Sequence, residues 1–361
     1  MTSFGRRLGL GLVFVAMAQV AASASVQPGS GGQRVKRTAP KPHAIVRLAP
    51  APAALQDQIN ALGRSFDGKA GIAVVSLRNG WEADWNANRL FPQQSCSKLW
   101  VAITTLDAVD RGKIRLNQSV SVDRNDLTLF HQPLGAKILA GTIQSITLGD
   151  LLFTAITESD NTANDKLLRS VGGPPAVRAM IARKGLGSIR FYNGERALQS
   201  RIAGLAWNPA YSIGSAFNDA RTALPMPVRH AAFERYIRDP YDGASPHAIA
   251  NALAALKGGR LLSPQSTALL LSTMGQTRTG GLRVKAALAP GWEWNHKTGT
   301  GQELNGRIAG INDIGLLTAP DGTIYAVSIM AIPDQSNGSA QQLMRDVART
   351  VIAFHQGAGG A

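Results

Sequence analysis

Phe91-Pro92-Gln93-Gln94-Ser95-Cys96-Ser97-Lys98-Leu99-Trp100-Val101-Ala102-Ile103 is where the chain changes its hydrophobic period. Before it, residues 71–77 form an apolar, β-branched run, Asn79-Gly80 is a hairpin signal, and residues 81–85 read as the partner strand. After Pro92, the apolar residues Leu99, Trp100, Val101, Ile103, Leu106 and Val109 predict a buried helix beginning at about Ser95. A helix start sets a serine hydroxyl beside unpaired backbone N–H groups and the positive end of the dipole. Ser95 and Lys98 lie three residues apart and share a helix face. A hydroxyl with an amine beside it is a nucleophile with its own base.

Two triplets follow in order, Ser159-Asp160-Asn161 and Lys297-Thr298-Gly299. A Ser-x-x-Lys match arises by chance about once in a chain of this size, so alone it decides nothing. Each triplet arises in roughly one chain in ten or twenty, so all three in order and in fitting context form a constellation. Ser159 follows an amphipathic segment, 147–157, at a turn before the helical run 162–170. Lys297 follows Trp292-Glu293-Trp294-Asn295-His296, which alternates like a strand. Together the motifs supply a nucleophile, a lysine to take its proton, a second hydroxyl to relay protons, an amide to hold a substrate, and a cationic strand to bind an anion. That is the equipment of a serine acyl transferase using lysine where others use histidine.

Outward from these motifs, Leu55, Ile59, Leu62 and Phe66 predict a first helix, and residues 95–260 are mostly helical in pattern. Residues 307–317 and 323–332 return as strands joined by Pro320-Asp321-Gly322, and 340–354 is a closing amphipathic helix. The expected fold class is α+β: an antiparallel sheet built from both chain ends, flanked by helices, with an inserted, mainly helical lobe. The α/β lobe takes residues 53–90 and 250–357, the helical lobe 91–249, and together they make one catalytic domain over 53–357.

At the N-terminus, Arg6 and Arg7 precede an apolar stretch, 8–20, and a small-x-small site, Ala22-Ser23-Ala24. This reads as a secretory signal over 1–24, too short for a membrane span, which places the mature chain in the periplasm or outside the cell. Residues 25–52, rich in Pro, Gly and basic side chains, read as a flexible linker.

The 361 residues are 44% hydrophobic and carry a formal charge of +15, enough apolar residue for a substantial core under a basic surface. No zinc-finger spacing, RNA-binding signature or basic aromatic sheet pattern accompanies that charge, so nucleic acid is not an expected partner. One cysteine and six scattered histidines offer neither an intrachain disulfide nor a zinc site. Cys96 reads as a small buried residue rather than a reactive thiol. His296 is expected on the strand face opposite Lys297, and Asp160 in support of its turn.

The chain resembles class A β-lactamases and the related penicillin-recognising serine hydrolases over about residues 53–355. The three motifs carry the resemblance, with Arg190-Phe191-Tyr192-Asn193-Gly194-Glu195-Arg196-Ala197-Leu198-Gln199 as a fourth element. Class A enzymes place there a loop with the core Glu-x-x-Leu-Asn; here the final Asn is Gln199, which keeps the amide and lengthens it. The resemblance implies that Ser95, Lys98, Ser159 and Glu195 are catalytic, with Lys98, or Glu195 through water, as the base that activates Ser95. It implies that backbone N–H groups of Ser95 and Thr300 form an oxyanion hole. Asn161, Gln199, Lys297, Thr298, Gly299, Thr300 and Arg307 would bind substrate. The implied substrate is a small β-lactam, with no metal and no cofactor, acted on by a monomer. Glu195 favours a hydrolase that releases its acyl group. A penicillin-binding D,D-peptidase and an envelope-binding module are the alternatives. Residues 200–245 are longer than in class A enzymes, either reshaping the glutamate loop, covering the pocket, or elaborating the surface.

Overall fold

The computed structural model describes residues 49–358. The signal segment expected over 1–24 and most of the linker expected over 25–52 lie outside them. The linker's last residues do not remain a linker: a short strand β1 (Ala49–Pro50) pairs in parallel with Trp81 and Glu82. Helix α1 (Ala53–Ser65) leads into strands β2 (Gly68–Ser76) and β3 (Trp81–Trp85). These form the expected antiparallel hairpin, and Gly80 takes the left-handed turn position at φ 67°.

Chain order then enters the helical lobe. A 3-10 turn, Gln94–Ser97, precedes helix α2 (Lys98–Asp110), whose residues are buried almost throughout. Burial on nearly every side makes α2 the centre of the lobe. The helix thus begins three residues later than expected, and Ser95 sits in the tighter turn that feeds it. A small hairpin that no periodicity announces, β4 (Ser119–Ser121) with β5 (Ser145–Thr147), brackets helix α3 (Pro133–Leu139). Helices α4 (Leu148–Thr157), α5 (Asn161–Ser170), α6 (Gly173–Lys184) and α7 (Glu195–Ile202) follow.

Residues 200–245 hold a 3-10 turn, Pro209–Ser212, and helices α8 (Ala216–Ala223) and α9 (Met226–Arg238). Helices α10 (Pro246–Lys257) and α11 (Pro264–Gly275) then return the chain to the sheet. Strand β6 (Glu293–Thr300) carries Lys297-Thr298-Gly299. The single strand expected over 307–317 is broken. A two-stranded ribbon, β7 (Glu303–Leu304) and β8 (Arg307–Ile308), stands apart from β9 (Ile311–Thr318). Strand β10 (Ile324–Pro333) and helix α12 (Ser339–Ala358) finish the described chain.

The main sheet has the order β1-β3-β2-β10-β9-β6 and is antiparallel apart from β1. β10 pairs with β2, Ser328 opposite Ala73, so the two ends of the chain meet in the middle of one sheet. The α+β reading therefore holds. Two apolar clusters cover the sheet's faces. Leu55 and Ile59 of α1 pack with Met344, Val347 and Val351 of α12 on one side. Trp100 and Ile103 of α2 join Ile249 and Leu253 of α10 on the other.

Gly63 lets α1 lie directly on Trp85 of β3, where a Cβ would overlap the indole ring. Gly63→Ala should cost about 1–3 kcal/mol of stability through overpacking while leaving the distant motifs intact. Urea unfolding of the variant checks this.

Candidate active site

Ser95 sits at the foot of α2 and Lys98 one turn on. Lys98 Nζ donates to Ser95 Oγ at 2.8 Å, to Asn161 Oδ1 at 2.8 Å, and to Glu195 Oε1. An ammonium has three N–H groups, and all three are used. Lys98 is 1% exposed and Glu195 2%, so this is an ion pair inside the protein. Asn161 is the first residue of α5, fixed by Asp160 as N-cap, which accepts from Ala163 N at 2.8 Å and Leu134 N at 2.5 Å. Glu195 is the first residue of α7. Its backbone N–H and that of Arg196 are taken by the two oxygens of Asp165, at 2.9 and 3.3 Å. Burial, then the charge of Glu195, pushes the Asp165 carboxyl above its ordinary value. Gly194 makes the close approach possible: φ is 87°, and a Cβ would sit 3.0 Å from Asp165 Oδ1.

Ser159 occupies the turn between α4 and α5 in the left-handed region, at φ 60°. A serine there is strained, and the turn delivers its hydroxyl to Lys297, whose Nζ donates to Ser159 Oγ at 2.8 Å and to Thr298 O at 3.0 Å. Burial, then the charge of Lys98, pushes Lys297 down to about 7. Gly299 is required because β6 runs against the 3-10 turn, where a Cβ would overlap the Gln93 carbonyl. Beneath the site, burial pushes the Cys96 thiol up to about 12, and its Sγ lies 3.5 Å from Lys297 O, in keeping with an inert packing residue. His296 turns away from the cavity and pairs through Nδ1 with Asp313 at 2.7 Å.

These groups open onto a cavity of about 560 Å³, lined by Ser95, Ser159, Asn161, Gln199, Thr298 and Thr300 among others. Lys98, Glu195 and Lys297 stand behind that lining, joined to it by the bonds above. Gln199 Nε2 donates to Glu195 Oε2 at 3.2 Å.

Arg307 is not brought into this set. It lies on β8, and its guanidinium pairs with Glu234 of α9. Arg283, which sequence reading missed, lines the cavity instead. It donates to Gly299 O at 3.0 Å and Asn312 O at 2.6 Å, and through Nη2 to Thr300 Oγ1 at 2.5 Å. Burial draws it below the usual arginine range, with Asp313 opposing. Arg283 belongs to the connection between α11 and β6, where no periodicity or motif marks a residue. Gln302, just past the end of β6, lines the cavity too and was equally unmarked.

Residues 200–245 reach the cavity's lining from two directions. Phe217 of α8 meets Phe130 edge-on, ring centroids 5.1 Å apart, and Gln132 Nε2 donates to Ser212 O at 2.9 Å. Phe130 itself lines the cavity. Arg221 of α8 donates to Glu303 O on the ribbon that follows Gln302.

The model of the beta-lactamase enzyme family matches residues 54–354, nearly the whole described chain. The chain belongs to the beta-lactamase enzyme family. Among its relatives, the extended-spectrum beta-lactamase PER-1 of Pseudomonas aeruginosa is 28% identical over 83% of this chain and 87% of its own length. Beta-lactamase CTX-M-97 of Escherichia coli is 26% identical over 82% and 88%. The solved structure of an ancestral class A beta-lactamase superposes with a TM-score of 0.65 at 27% identity, covering 83% of this chain and 99% of that one. Family membership is therefore of the class A kind, and the fold expected from the motifs is the family's own.

Burying Lys297 charged carries a cost that should be measurable in this beta-lactamase. Its folded value lies below the unfolded one, so the cost is complete below pH about 7 and fades as pH rises toward the ordinary lysine range. Lys297→Met should accordingly raise the melting temperature at pH 6, with a smaller gain at pH 9. Calorimetry at both pH values checks the sign.

Proposed function

We propose that the protein hydrolyses β-lactams through an acyl-enzyme on Ser95, released by water that Glu195 activates. The observation that carries this reading is the Lys98 ammonium, bonded at once to the Ser95 hydroxyl and the Glu195 carboxylate. One lysine thus touches the nucleophile of the first step and the base of the second.

In the first step, Lys98, having released a proton to solvent, acts as the neutral base and takes the proton of Ser95 as Oγ attacks the lactam carbonyl, while Glu195 stays ionised. Backbone N–H groups of Ser95 and Thr300 receive the oxyanion. The ring C–N bond breaks, and Ser159 passes a proton to the leaving nitrogen, drawing on Lys297 through their 2.8 Å hydrogen bond. In the second step, the ionised Glu195 takes a proton from water, which attacks the ester and frees Ser95, and Lys98 returns its proton to the Ser95 oxygen as that oxygen leaves. Asn161 holds the acyl amide, and Lys297 with Thr298 binds the substrate carboxylate. Arg283 takes the part expected of Arg307, since it stands at the cavity beside Thr300 while Arg307 is engaged with Glu234.

Every group in this scheme comes from one chain, so the scheme needs no second subunit. Export to the periplasm or beyond is part of the proposal, supported by the Arg6-Arg7 start, the apolar stretch and Ala22-Ser23-Ala24. Among the described residues, no helix is long and apolar enough to cross a membrane.

Ser95→Ala should abolish both nitrocefin hydrolysis and covalent labelling by a fluorescent penicillin; turnover surviving that change would overturn the nucleophile. Glu195→Ala should keep the labelling and lose turnover by about 10²–10⁴-fold. Intact-mass spectrometry should then find the acyl adduct. A wild-type protein that already holds penicillin without releasing it would mark a penicillin-binding protein instead.

A further inference from the structure

Gln302 belongs to no motif, yet it is 8% exposed and lines the cavity two residues beyond Thr300. Its Nε2 donates to the Gln199 backbone carbonyl at 2.8 Å and to Gln199 Oε1 at 3.0 Å. Gln199 Nε2 donates in turn to Glu195 Oε2 at 3.2 Å. The direction of this relay is forced from both ends. A backbone carbonyl only accepts, so the Gln302 group facing it is the NH₂. An ionised carboxylate only accepts, so Gln199 meets Glu195 with its NH₂ and turns its oxygen toward Gln302. A side-chain amide that is free to face either way is thereby held one way round.

The glutamine at 199 makes such a restraint matter. It is one methylene longer than asparagine and has one more rotatable bond to immobilise. Without a fixed orientation, its oxygen could face Glu195, setting acceptor against acceptor. The donor supplied by Gln302 removes that alternative.

We propose that Gln302 is a positioning residue for deacylation, orienting Gln199 so that its amide holds the Glu195 carboxylate for water activation. This inference rests on the hydrolase reading above. Because Gln302 acts through Gln199 on the release step, acylation of Ser95 proceeds without it.

The test is steady-state kinetics with nitrocefin, combined with intact-mass spectrometry during turnover, for Gln302→Leu, Gln199→Leu and the double variant. Slowed release lowers kcat and KM together and leaves kcat/KM, set by acylation, unchanged. Gln302→Leu should lower kcat about tenfold, the effect of one buried hydrogen bond, with KM falling in step and the acyl-enzyme accumulating. The double variant should be no slower than Gln199→Leu alone. Gln302→Glu sets an acceptor against both Gln199 oxygens and should slow release further than Gln302→Leu. A parallel fall of kcat and kcat/KM would assign Gln302 a merely structural role and overturn the inference. So would unchanged kinetics, or additive effects in the double variant. No turnover by the unmodified protein would instead overturn the hydrolase reading, and this inference with it.

Discussion

The buried ammonium of Lys98 is the constraint around which the rest of the site is arranged. A charge held out of water is tolerated only if its hydrogen bonds are complete and an opposite charge stands beside it. Here the three acceptors come from three separate places: the turn at Ser95, the first residue of α5 and the first residue of α7. Two helix starts and one turn must therefore arrive together. Both helix starts are held by aspartates: Asp160 caps α5, and Asp165 of α5 accepts from the first two N–H groups of α7. The sheet adds a second buried lysine, and burial, with the like charge of Lys98 beside it, pushes Lys297 down to about 7.

Much of this was legible because it is written in short-range spacing. Ser95 and Lys98 share a face whether the turn between them is 3-10 or α. The turn at Ser159 follows a helical pattern that ends, and the alternation before Lys297 marks β6. The same logic placed both chain ends in one sheet. What escaped were residues whose role depends on where the chain passes in space. Arg283 lies in an irregular connection, and only the folded chain shows its fork reaching Gly299, Asn312 and Thr300. Arg307 has the right residue type and a strand position, but its partner is set by α9, from a segment with no strong pattern of its own. The break between β8 and β9 was hidden because a two-residue ribbon leaves no period to read. Gln302 was invisible for a related reason, since an amide declares its purpose only through the groups it faces.

The sequence left open whether residues 200–245 reshape the glutamate loop, cover the pocket or elaborate the surface. Their contacts favour a structural share in the pocket's edges. Phe217 and the Ser212 carbonyl engage the segment carrying Phe130, while Arg221 and Glu234 engage the ribbon beyond Gln302. The end of the same segment also holds the turn that carries Ser95, since Asp242 accepts from Gln94 N at 2.8 Å and the Tyr236 hydroxyl of α9 accepts from Gln94 Nε2 at 2.9 Å, whereas α8 attaches only to the entrance.

The placement of α8 has an evolutionary side. A brace that spans two edges of an entrance, and touches none of the reacting groups, can change its sequence without disturbing the reaction. Changes in α8 would alter which molecules fit through the opening, while the ammonium and its three partners stay as they are. Helix α8 thus gives the protein a region where preference can drift independently of catalytic competence.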